Sequence, residues 1–356
     1  MNAHGFLIRQ IQTIWQRKGI ASTVLLPLSW IARWAIARKK SQYECGRRTT
    51  AQSSRPVLVI GNLYVGGTGK TPVVIALAQA LKARGWQPGV ISRGYRVAIG
   101  KQARAGRGAL NPAEFGDEPA LIARLAQVPV AVHPQRVLAL RELERAYPDV
   151  NVIISDDGLQ HRALGRDIEL LVQDDRGLGN GRVLPAGPLR EPADKMQHVD
   201  YVITHLGADQ TAPKHLPTKA RQLSLRLIPA YVIHVDTQTS LSWTQWRARY
   251  GHASISAVAG IGQPERFFSM LRANGIALKD TIALPDHYSF AKSPFHTLTS
   301  EWILITAKDA VKCAHLNDER LWAVDVAPQF SDKAWLSELS RRLHVIAKEK
   351  SGAKLN

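Results

Sequence analysis

Arg55-Pro56-Val57-Leu58-Val59-Ile60-Gly61, followed by Gly66-Gly67-Thr68-Gly69-Lys70-Thr71-Pro72, is the stretch whose reading decides the fold. The first seven residues form a β-branched run with no helical period, as a strand buried in a parallel sheet requires. A glycine-rich turn comes next. A helix is expected from about Pro72 to Arg84, with proline in the first turn, where its missing N–H is harmless, and Gly85 as the stop. Gln87 to Ser92 reads as the following strand. Strand, glycine loop, helix and strand make one crossover unit of a parallel sheet. In that setting the backbone N–H groups of Gly66, Gly67, Thr68 and Gly69 would cradle phosphate at a helix N-terminus. Lys70 would reach the β- and γ-phosphates, and the Thr71 hydroxyl would ligate magnesium. A strict P-loop has glycine at position 64, where Tyr64 stands.

Working outward, the alternation continues. Helices are expected at Pro119–Gln127 and Arg136–Ala146, and strands at Pro129–His133, Asn151–Ser155, Ile168–Val172 and Tyr201–Thr204. Residues 96–115 and 177–192 read as long loops. From about 221 to 237 the pattern becomes polar/apolar, which suggests exposed antiparallel strands or a connector. A second unit starts near Ile255: a strand, a helix over Pro264–Asn274, a strand near Ala277, a helix over Ser293–Thr299, and strands at Trp302–Thr306 and Leu321–Val326. The expected fold is therefore α/β. A P-loop parallel-sheet core with flanking helices would span 46–245, a smaller α/β domain 246–356, and a helical segment 1–45.

A chain of 356 residues can bury two cores. Its formal net charge of +18 points to polyanions: nucleic acid, anionic lipid or a phosphorylated substrate. No basic stretch interleaved with aromatics resembles a nucleic-acid module, so no nucleic-acid partner is expected. Cys45 and Cys313 form neither a CxxC pair nor a disulfide framework, and no His/Cys cluster has zinc-site spacing. Residues Ile20 to Ala37 are apolar but broken by Pro27 and Arg33, short of the roughly 20 uninterrupted residues that span a bilayer. Trp15, Trp30 and Trp34 among Arg17, Lys18, Arg38, Lys39 and Lys40 suit a headgroup layer, so an anionic membrane surface is an expected partner. A helical arm packed on the protein's own core is the alternative.

Other candidate residues lie at strand ends. Asp156-Asp157-Gly158 follows the run Asn151-Val152-Ile153-Ile154-Ser155, which places acids where a magnesium-holding group belongs, although Asp-Gly is also a common turn pair. Asp117 and Glu118 in Gly116-Asp117-Glu118-Pro119 read equally as helix caps or as site acids. Arg93, in Ser92-Arg93-Gly94-Tyr95, leaves a strand's carboxyl end and could face phosphate. His287, beside Asp286, is either an exposed loop residue or a group tuned for proton transfer.

Together with Val59-Ile60-Gly61-Asn62, Asp156-Asp157-Gly158-Leu159-Gln160-His161, Leu184-Pro185-Ala186-Gly187-Pro188-Leu189-Arg190-Glu191, Gly260-Ile261-Gly262-Gln263-Pro264-Glu265-Arg266-Phe267-Phe268, Pro285-Asp286-His287-Tyr288 and Lys308-Asp309-Ala310-Val311-Lys312, these segments run in an order that resembles the tetraacyldisaccharide 4′-kinase family of lipid A synthesis. The resemblance implies transfer of the ATP γ-phosphate to the 4′-hydroxyl of an acylated glucosamine disaccharide 1-phosphate, with Mg2+. It implies two α/β domains joined by a short two-stranded connector, and anchoring by the N-terminal helix to the cytoplasmic face of the inner membrane. It assigns the base to Asp117 paired with His287. Glu118, Asp156 and Asp157 would surround magnesium, with Lys70 and Thr71, while Gln160, His161, Arg190 and Glu191 would lie near the cleft. One position departs: the family commonly has glutamate where Ala307 stands. A GTPase reading fails on spacing, because Lys308 and Asp309 are adjacent rather than part of an Asn/Thr-Lys-x-Asp guanine reader.

Overall fold

The computed structural model describes residues 13–95, 97–211, 218–286 and 288–352. Helices α1 (Ile20–Val24) and α2 (Leu26–Glu44) precede β1 (Val57–Gly61), α3 (Lys70–Lys82), β2 (Pro88–Ser92), β3 (Arg104–Gly106), α4 (Pro112–Phe115), α5 (Asp117–Ala126), β4 (Val130–Val132), α6 (Arg136–Ala146), β5 (Val152–Ser155), β6 (Ile168–Asp174) and β7 (Tyr201–Leu206). Then come β8 (Arg221–His234), β9 (Ser240–Ser242), α7 (Trp243–Tyr250), β10 (Ile255–Ala259), α8 (Pro264–Ala273), β11 (Leu278–Ala283), β12 (Trp302–Thr306), α9 (Ala307–Ala310), β13 (Leu321–Phe330) and α10 (Trp335–Gly352).

All these strands join one 13-stranded sheet in the order β11-β10-β12-β13-β8-β7-β6-β1-β5-β2-β4-β3, with β9 beside β8. From β8 to β4 the neighbours are parallel. From β11 to β13 they are parallel too. The direction reverses between these two sectors, at the antiparallel β8–β13 ladder. The register explains what that reversal achieves. β7 lies along Arg221–Arg226 of β8, and β12 lies along Leu321–Val324 of β13. Val324 in turn faces Val232, near the far end of β8. Each sector therefore rests on one end of the ladder and runs its strands toward the middle, so the two sets of carboxyl ends face each other. At that middle the register slips between Asp325, opposite Tyr231, and Val326, opposite Pro229. Such a bulge bends a ladder, and it accommodates a proline, which has no N–H to donate.

Several expectations need correction. Residues 221–234 are one long strand with neighbours on both sides, not exposed strands; alternate residues are only half covered, which mimics the exposed pattern. Residues 96–115 contain β3 and α4 rather than one long loop. No helix spans Ser293–Thr299. Phe295 and Leu298 are buried there, and their three-residue spacing imitates a helical face. Helix α10 has no counterpart in the sequence reading. It packs on the N-terminal sector, with Trp335, Leu339 and Leu343 among Leu58, Ile60, Leu77 and Leu81. Trp86 Nε1 donates to Ser340 Oγ at 3.0 Å, and Lys350 pairs with Asp167 at 2.7 Å. A boundary at 245 thus leaves the last helix on the opposite side from the strand before it.

The N-terminal helices are inverted in polarity. Ser22 and Ser29 are buried, whereas Ile20, Val24, Leu28, Trp30, Ile31 and Trp34 are exposed. The serines are held by the 177–192 segment: Ser22 Oγ donates to the Ala186 carbonyl at 2.6 Å and Ser29 Oγ to that of Val183 at 2.7 Å. Asn180 Nδ2 donates to Ser22 Oγ at 2.9 Å, and Trp15 Nε1 to the Pro185 carbonyl at 3.0 Å. Among the described residues no helix is long and apolar enough to cross a membrane.

Because Trp335 has no exposed surface and closes the N-terminal core, Trp335→Ala should lower stability by about 3–5 kcal/mol. Urea unfolding measures this; a loss below about 1 kcal/mol, the size of a surface change, would show that α10 is peripheral.

Candidate active site

The facing strand ends enclose a cavity of about 880 Å³. Its floor is the middle of the ladder, including Arg226, Leu227, Ile228, Val324 and Val326. One wall carries Gly66 to Thr71, Arg93, Asp117, Glu118, Asp156, Asp157, Gln160, His161 and Arg190. The other carries Gln263, Arg266, Asp286 and Lys308. Ligands of open α/β sheets bind outside the carboxyl ends of strands, and here two sectors share one such crevice.

The glycine loop leaves β1 and enters α3. Gly69 has φ +84°, and a Cβ there would lie 2.5 Å from His205 Nδ1, so only glycine lets the loop pass the buried imidazole. Asn62 organises the approach: its Nδ2 donates to the carbonyls of Tyr64 at 2.6 Å and Gly66 at 3.1 Å, and its Oδ1 accepts from Lys70 Nζ at 3.1 Å. Tyr64 is buried beneath the Arg176 guanidinium, 4.2 Å from its ring centre. Arg176 also donates to the Gly67 carbonyl at 2.8 Å and pairs with Asp174 at 2.6 Å. A tyrosine at position 64 therefore supports the loop through a stacked arginine.

The strand after α6 delivers the acids. Asp156 is buried, and its Oδ2 accepts from Ser92 Oγ at 3.0 Å, while Oδ1 has no hydrogen-bond partner among the described residues. Burial, then the Glu118 and Asp157 carboxylates, push Asp156 up to about 6. Asp157 behaves oppositely. Burial works to raise it, but Lys70 at 3.4 Å and Arg190 at 2.9 Å outweigh burial and hold it at about 2. Asp157 adopts φ +51°, a left-handed turn that aspartate tolerates. Arg136 is buried behind both and donates to the carbonyls of Asp156 and His133, each at 3.1 Å. Burial and Arg136 lower His161 to about 4, so its ring is neutral at pH 7.

Asp117 and Glu118 open α5, in the first turn where acids favour the helix dipole, and both also face the cavity. They are met by lysines from α9 and just after it. Lys312 Nζ lies 3.3 Å from Asp117, and Lys308 Nζ lies 3.3 Å from Glu118 and 3.4 Å from Asp286. Gln160 donates to the Asn62 carbonyl at 3.2 Å. Glu191 is outside the cavity lining and pairs with Arg162 at 3.2 Å. Arg190 thus turns to Asp157, whereas the neighbouring Glu191 turns to Arg162. His287 lies outside the described residues. Asn62, Arg176, Lys308 and Lys312 carry no assignment in the sequence reading. The lysines do stand in one of the ordered segments, Lys308 to Lys312, and Asn62 in another.

Three or more histidine, cysteine or carboxylate side chains do not converge on a single metal point among the described residues. A magnesium ion carried on nucleotide phosphates needs only one or two protein carboxylates, and the unsatisfied Asp156 Oδ1 beside Asp157 and Glu118 suits it.

Fold and site define a class: an α/β enzyme with paired lysines and carboxylates at the carboxyl ends of parallel strands, the layout of phosphoryl transfer. The family model for tetraacyldisaccharide-1-P 4′-kinase (LpxK) matches residues 21–344, and the chain belongs to that family. It is 50% identical over 342 residues to the tetraacyldisaccharide 4′-kinase of Bordetella petrii, covering 94% of this chain and 96% of that one. It is 42% identical over 351 residues to the tetraacyldisaccharide 4′-kinase of Herminiimonas arsenicoxydans, with 94% and 95% covered. The crystal structure of Aquifex aeolicus LpxK in complex with ATP superposes with a TM-score of 0.75 at 28% identity, covering 91% of this chain and 99% of that one.

The raised folded-state value of Asp156 means that its contribution to stability is full below its unfolded value of about 4 and is lost as pH rises through about 6. Asp156→Asn should therefore stabilise the nucleotide-free protein at pH 8 by about 2–3 kcal/mol, and much less at pH 5. Thermal melting across pH checks this; a variant no more stable than wild type at pH 8 would contradict it.

Proposed function

We infer that the chain is an ATP-dependent kinase that transfers the γ-phosphate to the 4′-hydroxyl of tetraacyldisaccharide 1-phosphate in lipid A biosynthesis. The observation that carries this reading is one cavity where a glycine loop with Lys70, the Asp156–Asp157 pair and the Asp117–Glu118 pair meet. Gly66 to Thr71 act as a P-loop, with backbone N–H groups and Lys70 on the phosphates. Thr71, Asp156, Asp157 and Glu118 would hold Mg2+. When bound, magnesium neutralises charge on the β- and γ-phosphates. Asp157, kept ionised by Lys70 and Arg190, remains available to a cation at neutral pH. Asp117 accepts the proton of the sugar hydroxyl, a poor nucleophile without a base. His287 serves as its partner on the strength of the Pro285–Tyr288 resemblance. Arg93, Gln160, His161 and Arg190 line the cavity where the disaccharide would reach the phosphate.

The two sectors act as lobes divided near residue 245, with α10 returning to the first, and are hinged on the bulged middle of the β8–β13 ladder. Closure would exclude the water that otherwise consumes ATP. The first 45 residues place the enzyme on the cytoplasmic face of the inner membrane. The support is the inverted helix pair: its serines are consumed by the 177–192 segment, and its apolar side chains and tryptophans are left outward beside Arg38 and Lys39.

Lys70→Ala should lower kcat/KM by about 10²–10³, the cost of losing one donor to transition-state charge. The assay follows labelled phosphate from ATP to the lipid, and a folded variant with near-normal turnover would remove the loop from the mechanism. Trp30→Glu with Trp34→Glu should abolish co-flotation with anionic liposomes, since burying acidic groups in place of indoles is unfavourable; undiminished flotation would refute the membrane face.

A further inference from the structure

The segment Lys308 to Lys312 has no part in the scheme above, yet it joins the two walls at Glu118 and Asp117. Its backbone is anchored. Thr306 caps α9 by accepting from the Asp309 N–H at 3.1 Å, and its hydroxyl donates to Asp309 Oδ2 at 2.7 Å. Asp309 is fully buried, and Oδ2 also accepts from the Gly260 N–H at 2.9 Å, which ties α9 to the end of β10. Ala307 packs into the core of the N-terminal sector. The root of Lys308 is thus fixed, while its side chain extends into the cavity opposite the glycine loop.

The Lys308 ammonium is held by Glu118 and Asp286 alone among the partners described. Burial would lower its pKa, but those two carboxylates outweigh burial, so it stays protonated. Glu118 lines the same wall as Lys70, Asp156 and Asp157. A lysine ammonium therefore sits among the carboxylates of the cavity, opposite the glycine loop. Lysine is a compact point charge on a flexible stem, able to exchange one anionic partner for another without backbone movement. Lys312 differs, being fixed to Asp117, to the Tyr288 carbonyl at 2.9 Å and to Asp309.

We propose that Lys308 is a catalytic residue supplied by the C-terminal sector: its ammonium, paired with Glu118 across the cavity, passes to the terminal phosphate of ATP when the nucleotide is seated on Gly66–Thr71. Lys308 thereby distinguishes a triphosphate from a diphosphate. This rests on the reading of the Gly66–Thr71 loop as the phosphate cradle.

Calorimetric titration of the full chain with magnesium and either a non-hydrolysable ATP analogue or ADP tests it. Lys308→Met should weaken the triphosphate analogue about tenfold or more and leave ADP within about twofold, as for loss of one charge-assisted hydrogen bond to the terminal group. Lys308→Arg should recover most of the loss. Melting curves check folding, and if Lys308→Met melts early the same ratio is read in Lys308→Gln. Equal weakening of both nucleotides, or no weakening, overturns the proposal. Lys70→Ala separates the underlying reading: it should weaken both nucleotides, and a wild-type protein that binds neither would fail the loop assignment, not Lys308.

Discussion

The antiparallel pairing of β8 with β13 makes one site out of two parallel sheets. A parallel sheet gathers its strand-end loops along one edge, and two such sheets joined edge to edge would normally present separate edges. Here each sheet is laid on its own end of a long ladder, and both run inward. The bulge at Pro229 and Asp325 lies where they meet. Residues brought together there are far apart in the chain, as with Glu118 and Lys308, separated by 190 positions.

Charge is the second constraint. Five carboxylates, those of Asp117, Glu118, Asp156, Asp157 and Asp286, line one crevice. Each ion pair made there offsets part of their mutual repulsion, and the pairs come from different elements: Lys70 from α3, Arg190 from the loop before β7, and Lys308 and Lys312 from α9 and the turn after it. Among them Asp156 is strongly raised, because its burial and the Glu118 and Asp157 charges outweigh Lys70 and Arg136. A site that is electrostatically strained without its ligand is what differential binding of a cation and a polyphosphate requires.

Much of this was legible in the sequence wherever the information is local. β1, the glycine loop and α3 follow from a β-branched run, four closely spaced glycines and threonines, and a helix stop at Gly85. Asp156 and Asp157 follow from their place at a strand's end. Asp117 and Glu118 could be read as caps or as site acids; the N-cap is Gly116, and the two acids stand in the first turn of α5 and line the cavity. The long-range partnerships were not legible: Asn62 under Lys70, Arg176 over Tyr64, and the α9 lysines opposite α5 depend on the ladder register, which no periodicity reveals. The same limit explains α10, whose apolar face meets β1 and α3, more than 250 residues earlier. It also explains Ser293–Thr299, where Phe295 and Leu298, three residues apart, fill a core without forming a helix. The alternation of 221–234 was read as solvent exposure because a strand flanked on both sides but half covered shows the same pattern.

The claim on which the account turns is that both walls of the ladder-centred cavity engage one nucleotide. A structure of the full chain with magnesium and a non-hydrolysable ATP analogue tests it most directly. The account predicts phosphates seated on Gly66–Thr71, with the terminal phosphate contacted from the opposite wall by a side chain following β12. A triphosphate contacted by the N-terminal sector alone, with the C-terminal wall standing clear, would contradict it.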